Sequence, residues 1–247
     1  NGSGKVHALR LEQNGGYGMG NQEGINYAVS CLEADYVIIA NPDIHVTPRC
    51  IRRVKDALDK TQGAVAASAR VKDPMGGELF SYWTLLPLWK DLLDTGLVTR
   101  RLFKAMLNTP SYRLAYAGDE DCRLVDAVPG SFFMLKTGIL TPGEIKEVFD
   151  KHIFLYYEEK VLGQKFRKMG LKTVLVTDES YVHAHSVSID KSFKRIVDKQ
   201  SLLHRSKLYY YKEYLGTGPA GMAAARAVLG LVLAEVWFLT VVCRMRW

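Results

Sequence analysis

Short apolar runs alternate with helical patterns through the first third of the chain. Residues 36–40, Tyr-Val-Ile-Ile-Ala, stop at Asn41-Pro42-Asp43, and a Val- and Ile-rich run of this length is typical of a buried strand. Proline cannot donate to a sheet, so the strand is predicted to end near Asn41. A helix is predicted next, because Thr47 can cap it and Pro48 suits its first position.

The neighbouring segments extend this pattern. Val6 to Leu11 alternates loosely and predicts a strand, which leads into a glycine-rich loop at 13–24 and a helix at about 22–33. Glycine lets a backbone approach a ligand and a helix start suits an anion, although a tight turn without a ligand also explains the loop. With a buried strand at 64–71, the order of elements predicts an α/β fold with a mostly parallel central sheet flanked by helices.

Aromatic residues and prolines fill the irregular segment 72–121. A segment this long without regular structure is usually functional or mobile. Its aromatic side chains can stack on a sugar or a lipid, or they can pack on the domain. Arg100, Arg101 and Lys104 form either an anion-binding patch or a solvated helix face.

The last quarter of the chain predicts helices. Apolar residues recur at helical spacing among lysines and arginines over 193–211, which predicts a surface helix whose basic face could lie on an anionic membrane. The stretch 223–243 is apolar apart from Arg226 and Glu235. A span needs about 20 apolar residues, so we expect an interfacial helix, or one packed in an oligomer, in preference to a crossing. The boundaries predicted are an α/β domain over 1–190 and a helical region over 191–247.

Composition and charge limit the classes of molecule that the protein is expected to bind. The chain has 247 residues, 48% hydrophobic and 24% charged, and a formal net charge of +7, which suits a globular protein with anionic partners. The sequence has no dense basic run, zinc-finger spacing or aromatic RNA-binding motif, so nucleic acid is not an expected partner. Four widely spaced cysteines without a C-x-x-C pair indicate a reduced, cytoplasmic protein.

Candidate chemistry follows three predicted sheet segments: Asp43, the pair Glu158-Glu159, and His183. Carboxylates and imidazole can share a divalent ion such as Mg²⁺ or Mn²⁺, and a carboxylate near a hydroxyl can act as a general base. Each also has a structural explanation. Asp43 can close a turn, and a histidine after a strand is often structural. Paired glutamates favour the start of a helix, here predicted to run through Met169 and to end at Gly170.

Several motifs occur in an order that resembles a known enzyme family. They are the stretches 14–21 (Asn-Gly-Gly-Tyr-Gly-Met-Gly-Asn), 34–43 (ending Asn-Pro-Asp), 130–134 (Gly-Ser-Phe-Phe-Met) and 154–159 (Phe-Leu-Tyr-Tyr-Glu-Glu), followed by His183. Over about residues 6–215 the chain resembles the family 2 inverting glycosyltransferases of the GT-A fold, closest to the bacterial rhamnosyltransferase-like branch.

The resemblance implies a role for each matched residue. Asp43 would coordinate a Mg²⁺ or Mn²⁺ ion on the donor diphosphate, with His183 completing the metal site and Asn41 standing where the family's acidic motif begins. Glu159 would be the catalytic base, and Glu158 would bind or position the acceptor. The remaining matches are beside the donor (Asn14, Gly18, Asn21) and along the sugar or acceptor pocket (Gly130, Ser131).

The resemblance also implies a reaction and a location. The donor would be a nucleotide-diphosphate sugar such as dTDP-rhamnose or a UDP-sugar, and the acceptor a glycan or lipid-linked sugar in cell-surface polysaccharide synthesis. The enzyme would be cytoplasmic, peripheral on the inner face of the membrane, with homo-oligomer formation through its C-terminal helices as a further expectation. Asn1-Gly2-Ser3 resembles the end of a loop that normally lies further upstream, so an N-terminal part of the GT-A domain is expected to be missing.

Two other functions stay open. One is a catalytically silent relative that binds a glycan or a partner protein. The other is a nucleotidyltransferase with a similar sheet, which would release pyrophosphate in place of a nucleoside diphosphate.

Overall fold

The computed structural model of the chain describes residues 6–107, 121–184 and 196–244. The strands in these ranges are β1 (Tyr36–Ala40), β2 (Ile44–His45), β3 (Ala64–Lys72), β4 (Cys122–Val125), β5 (Phe132–Lys136) and β6 (Lys172–His183). They form one sheet in the order β1-β5-β3-β6-β2, and β4 also pairs with β6.

Helices surround this sheet. The α-helices are α1 (Gly16–Leu32), α2 (Pro48–Lys60), α3 (Leu88–Thr95), α4 (Leu97–Leu102), α5 (Lys104–Leu107), α6 (Pro142–Ile145), α7 (Glu158–Lys168), α8 (Ile196–Glu213) and α9 (Pro219–Trp237). A 3₁₀ turn (Thr137–Ile139) follows β5, and a π-helical turn (Phe238–Val242) continues α9.

The α/β class is confirmed, but the prediction of a mostly parallel sheet is wrong. Strands β3 and β6 pair in parallel, whereas the other pairings between the strands described are antiparallel. The reason is the place of β5. It lies between β1 and β3 and runs antiparallel to both, so two strands that a simple βαβ order would put side by side are separated.

The sheet is covered on both faces. On β5, Phe133 and Leu135 face a core that includes side chains of α1 and α7, while Phe132 and Met134 face a core that includes α2. Alternate side chains of a strand point to opposite faces, so this strand is apolar throughout because both of its faces are buried.

Two helix ends are where the sequence predicts them. Thr47 accepts a hydrogen bond from the backbone N–H of Cys50 at 3.1 Å, and Pro48 is the first residue of α2. Gly170 has a φ of +71° just after α7, and the N–H of Leu171 bonds back to the carbonyl of Phe166 at 2.8 Å. This is the glycine-terminated helix end that the sequence indicates.

The N-terminal predictions need correction. Val6 to Leu11 is not a strand: these residues are exposed, and none pairs with a strand in the described part of the chain. Helix α1 begins at Gly16, inside the predicted loop. Gly16 has a φ of +83°, and the next residue, Tyr17, donates its N–H to the Phe154 carbonyl at 3.1 Å. This tertiary hydrogen bond fixes the first turn of α1 where local glycine content disfavours a helix.

The C-terminal helices pack on the α/β unit. Helix α8 is not the surface helix that the sequence indicates, because it buries Lys207, Tyr210 and Tyr211. These tyrosines share a core with α3, α9 and Tyr157, which directly precedes α7. Residues 219–242 form a continuous helix long and apolar enough to cross a membrane by length and composition.

Candidate active site

A backbone hydrogen bond and a strand pairing bring residues that are distant in sequence to one edge of the sheet, at the ends of its strands. The N–H of Asn41, just after β1, donates to the carbonyl of Ser131, just before β5, at 2.8 Å. Strand β2 pairs antiparallel with the end of β6, so Ile44 lies opposite His183. Asn41, Asp43, Ser131 and His183 are therefore held by backbone hydrogen bonds at a common edge.

Asp43 and His183 form a pair at this edge. The distance from Asp43 Oδ1 to His183 Nε2 is 3.4 Å, and both side chains are largely buried. The backbone carbonyl of Asp43 also accepts a hydrogen bond from Ala184 at 3.0 Å. Asp43 Oδ1 has no hydrogen-bond partner within the described ranges. A buried carboxylate oxygen without a donor is a costly arrangement unless a cation or ligand satisfies it.

Glu158 and Glu159 are the first two residues of α7. The two residues before them, Tyr156 and Tyr157, have φ values of +71° and +74°, a conformation that non-glycine residues rarely adopt. This double turn directs the chain abruptly into the helix. The start of a helix carries partial positive charge, which favours carboxylates there.

Burial raises the pKa of both carboxyl groups. For Glu158, burial and then the neighbouring charge of Glu159 raise the pKa to about 8. Glu158 Oε1 is buried and has no hydrogen-bond partner in the described residues. Because two adjacent buried charges oppose each other's ionisation, their repulsion and their burial both favour the protonated form of the pair. A pair poised in this way can accept a proton from a bound hydroxyl.

Gly130 connects the glutamate pair to α1. Its N–H donates to Glu159 Oε1 at 3.3 Å, and its carbonyl accepts a hydrogen bond from the Tyr17 hydroxyl at 2.5 Å. A side chain at this position would place its Cβ only 2.8 Å from that hydroxyl, so glycine is required for the close approach. The next residue, Ser131, shares a 2.7 Å hydrogen bond with the buried Tyr181 hydroxyl.

These groups open onto one cavity of about 470 Å³. Its lining combines carboxylates, an imidazole, an ammonium group and aromatic rings. These groups belong to residues that include Phe80, Trp83, Glu158, Glu159, Lys160 and His183, and Asn41 and Ser131 also line the cavity. The volume is within the range of small-molecule sites, in which a few convergent polar groups lie among apolar walls.

A buried polar cluster beside the cavity fixes the start of α7. Its centre is Asp91 of α3, whose carboxylate accepts hydrogen bonds from Tyr157 and Tyr211 (2.6 Å each), Lys207 (3.1 Å) and Lys160. Burial alone would raise the pKa of Asp91, but the charges of Lys207 and Lys160 hold it below its ordinary value. The cluster joins α3, α7 and α8 immediately behind the glutamate pair.

The residues predicted beside the donor do not line this cavity. The side chain of Asn14 accepts a hydrogen bond from Gly16, and that of Asn21 donates to the Tyr17 carbonyl. Gly18 is buried, and a Cβ there would contact Phe149 at 3.4 Å. Their contacts shape the start of α1, and their part in donor binding stays a prediction. Asn41, Gly130, Ser131, Glu158, Glu159 and His183 do line the cavity, and Asp43 contacts it through His183.

Sequence reasoning missed three contributors to the cavity. Tyr17 occurs inside the quoted glycine-rich motif, but the sequence does not show that its hydroxyl reaches residue 130. Lys160 directly follows the glutamate pair, so its place in the sequence could have indicated that it lies near the site. Trp83 lies in the irregular segment, where packing was the favoured explanation; it both contacts Phe80, with ring centroids 5.1 Å apart, and lines the cavity.

Comparison of the chain with models of known protein families found no match, and neither did comparison with characterised protein sequences. Across the described ranges, no group of three or more His, Cys, Asp and Glu side chains is placed to hold a metal ion. The Asp43–His183 pair supplies two such ligands.

Proposed function

We propose that the chain is an inverting glycosyltransferase of the GT-A type, which moves a sugar from a nucleotide-diphosphate donor to a hydroxyl of a glycan or lipid-linked acceptor. The observation that carries the proposal is the single cavity of about 470 Å³ onto which Glu159, Ser131, Asn41 and His183 open from separate sheet and helix ends. A carboxylate base and a potential cation site on one cavity are the two parts that this reaction needs.

In the proposed reaction, Glu159 is the general base. The acceptor oxygen attacks the anomeric carbon while the bond to the donor diphosphate breaks, and the hydroxyl proton passes to Glu159. The N–H of Gly130 holds one oxygen of this carboxylate at 3.3 Å, which orients it. Its pKa, raised by burial, favours proton acceptance. Glu158, whose side chain is buried beside it, positions the acceptor.

Asp43 and His183 would hold the divalent ion. The fit rests on Asp43 Oδ1, which accepts no hydrogen bond from the described residues, and on its 3.4 Å separation from His183 Nε2. A Mg²⁺ or Mn²⁺ ion held there would supply positive charge against the leaving diphosphate. Two protein ligands leave coordination positions for phosphate oxygens and water, which is typical of Mg²⁺ sites that bind nucleotide substrates.

The aromatic wall supports a sugar-nucleotide substrate. Phe80 and Trp83 present ring surfaces to the cavity, and such faces can stack on a sugar ring or a nucleobase. We place the reaction in cell-surface polysaccharide synthesis at the cytoplasmic face of the membrane, with dTDP-rhamnose and UDP-sugars as the first donors to test.

The test of the base is transfer by Glu159→Gln. Purified protein is screened with nucleotide sugars for release of nucleoside diphosphate and for transfer to glycan or lipid-linked acceptors. With the active donor, Glu159→Gln is expected to lower kcat by about 10²–10⁴-fold. The exposed Glu147→Gln is the matched control and keeps full activity. Normal transfer by Glu159→Gln would refute the assignment, and release of pyrophosphate would indicate a nucleotidyltransferase. Absence of turnover with all donors, together with glycan binding, would indicate a silent relative.

The metal site has a separate test. Asp43→Ala and His183→Ala are each expected to raise the Mg²⁺ or Mn²⁺ concentration needed for half-maximal transfer by about tenfold or more. His45→Ala is the control, since this exposed histidine lies on the paired strand β2. Because the two ligands act on one ion, the double variant should lose less than the sum of the single effects. Transfer that withstands both EDTA and Asp43→Ala would remove the metal from the proposal.

A further inference from the structure

The helix at 219–242 is apolar on two opposite faces. It spans 24 residues; its most apolar 18-residue window has a mean hydropathy of 1.9, yet only 22% of that window is buried. The face packed on the protein carries the buried residues of α9, which recur at intervals of three and four: Met222, Ala225, Leu229, Val232 and Val236. At 100° per residue, the opposite face carries Leu231, Trp237, Phe238 and Val241. These four side chains are 50–72% exposed.

A second apolar segment lies at the edge of this exposed face. Glu235 accepts hydrogen bonds from the N–H groups of Leu97 and Val98, at 3.3 Å each, and so joins the start of α4 to α9. In the sequence, Glu235 interrupts the apolar stretch. In the structure, its carboxylate accepts hydrogen bonds from the backbone of α4. Val98 and Leu102 are exposed, Leu102 by 73%. We call Val98, Leu102, Leu231, Trp237, Phe238 and Val241 the apolar face.

Cations border the apolar face. Arg101 and Lys104 lie beside Leu102, and Arg226 and Arg244 flank the α9 part at either end. All four are exposed, and none forms an ion pair with the described residues. The nearby acids are already engaged, Asp94 with Arg100 at 3.2 Å and Glu235 with the α4 amides. The border is therefore positively charged.

We propose that the apolar face docks on an anionic lipid surface with α9 lying in the plane of the interface. Exposed apolar side chains bordered by arginine and lysine match acyl chains beside anionic headgroups. From Ala227 to Val242 the helix extends about 23 Å, with Trp237 within the exposed stretch and arginines at both ends. Tryptophan favours the membrane interface, and arginines can extend to headgroups.

An in-plane orientation is favoured over a crossing. The buried face of α9 packs on α3 and α8, so a crossing would bring these helices into hydrocarbon. Helix α8 also carries exposed charges along its length, among them Asp198 and Arg205, and charged side chains are strongly disfavoured in the hydrocarbon core. A second copy of the chain is also a poorer occupant, because an isologous interface would juxtapose two copies of the same cationic border.

The test uses the full chain and vesicles of phosphatidylcholine, alone or with about one-third phosphatidylglycerol. Binding to the anionic vesicles is expected to exceed binding to the neutral ones by about tenfold, and the difference should shrink at high salt. Leu231→Asp and Leu102→Asp should each weaken binding by about tenfold or more. Met75→Asp is the control, since Met75 is 97% exposed on a distant turn. Thermal unfolding of each variant establishes that the fold is kept.

Measurements of the depth of Trp237 in the membrane and of the oligomeric state distinguish in-plane docking from a membrane crossing and from a dimer. Brominated lipids should quench Trp237 most strongly when the bromines lie near the headgroups, with Trp237→Phe as the blank. Strongest quenching from the bilayer centre would overturn the in-plane orientation. Equal vesicle binding by the wild type and Leu231→Asp would overturn the docking surface. So would a wild-type chain that does not bind vesicles but forms a dimer that Leu231→Asp abolishes. The proposal assigns to named residues the membrane contact on which the proposed location of the reaction rests, and vesicle binding tests it independently of turnover.

Discussion

Glu158→Gln should stabilise the fold, and more so as the pH rises. The buried carboxyl has a pKa raised from 4.5 to about 8. Below about pH 4.5 it is protonated in both the folded and the unfolded chain, so it has no effect on stability. As the pH rises from 4.5 to 8, the unfolded chain ionises while the folded one keeps the proton. The folded state therefore loses stability across this window.

The size of the effect follows from the shift in pKa. Each unit is worth about 1.4 kcal/mol, so the penalty is about 1 kcal/mol at pH 5 and about 4 kcal/mol at pH 7.5. Glutamine has nearly the same shape and cannot ionise. Its gain in unfolding free energy should therefore be about 3 kcal/mol larger at the higher pH.

The assay is urea unfolding followed by circular dichroism at the two pH values. Glu147→Gln is the control, because this exposed glutamate should show a small change that is the same at both pH values. A gain for Glu158→Gln that does not depend on pH would refute the argument from burial. A loss at both pH values would mean that the carboxylate has a partner that glutamine cannot replace.

Two further changes test how the site is held. Asp91→Ala leaves two buried lysines without their anion and should lower the unfolding free energy by about 3–5 kcal/mol in urea titrations, whereas the exposed Asp56→Ala should change it little. Gly16→Ala combines a φ of +83° with a Cβ 2.0 Å from the Phe154 carbonyl oxygen and should cost about 2 kcal/mol or more. Gly20→Ala, in the same helix with nothing within 4 Å, should instead gain up to about 1 kcal/mol. Equal thermal midpoints for the two glycine variants would contradict this.

Local chemistry predicts those elements whose causes are local. The position of the strand at 36–40, the Thr47-Pro48 helix start and the Gly170 helix end follow from β-branched residues, a capping hydroxyl and a positive φ. The predicted burial of this strand is wrong, because β1 lies at the end of the strand order and Ile38 is 39% exposed. The direction of β5 does not, because antiparallel and parallel buried strands have the same apolar composition. Helix α1 begins early for a similar reason: the hydrogen bond from Tyr17 to Phe154 joins residues far apart in sequence.

The candidate site shows the same division. Strand ends that are readable from the sequence correctly indicate Asn41, Asp43 and His183 as neighbours at one end of the sheet. The prediction that the segment before Glu158-Glu159 belongs to the sheet is wrong: residues 153–157 form no strand, and Glu159 reaches the cavity from the start of α7. Glycine content points to the loop at 13–24 as a ligand site, but glycines are equally required where backbones approach each other. Here they allow contacts with Phe154 and Phe149.

The Asp91 cluster has a consequence for how the chain could be divided. Its hydrogen bonds run from α3 to Tyr157 and to Tyr211 of α8, so the last helices supply part of the support under the glutamate pair. These helices are therefore not an exchangeable module. A chimaera that replaced residues 196–244 with a foreign membrane anchor would leave Asp91 and Lys160 exposed and release Tyr157 from its φ of +74°. Such a chimaera would retain Asp43, Glu158, Glu159 and His183 and still lose the orientation of the two glutamate carboxylates.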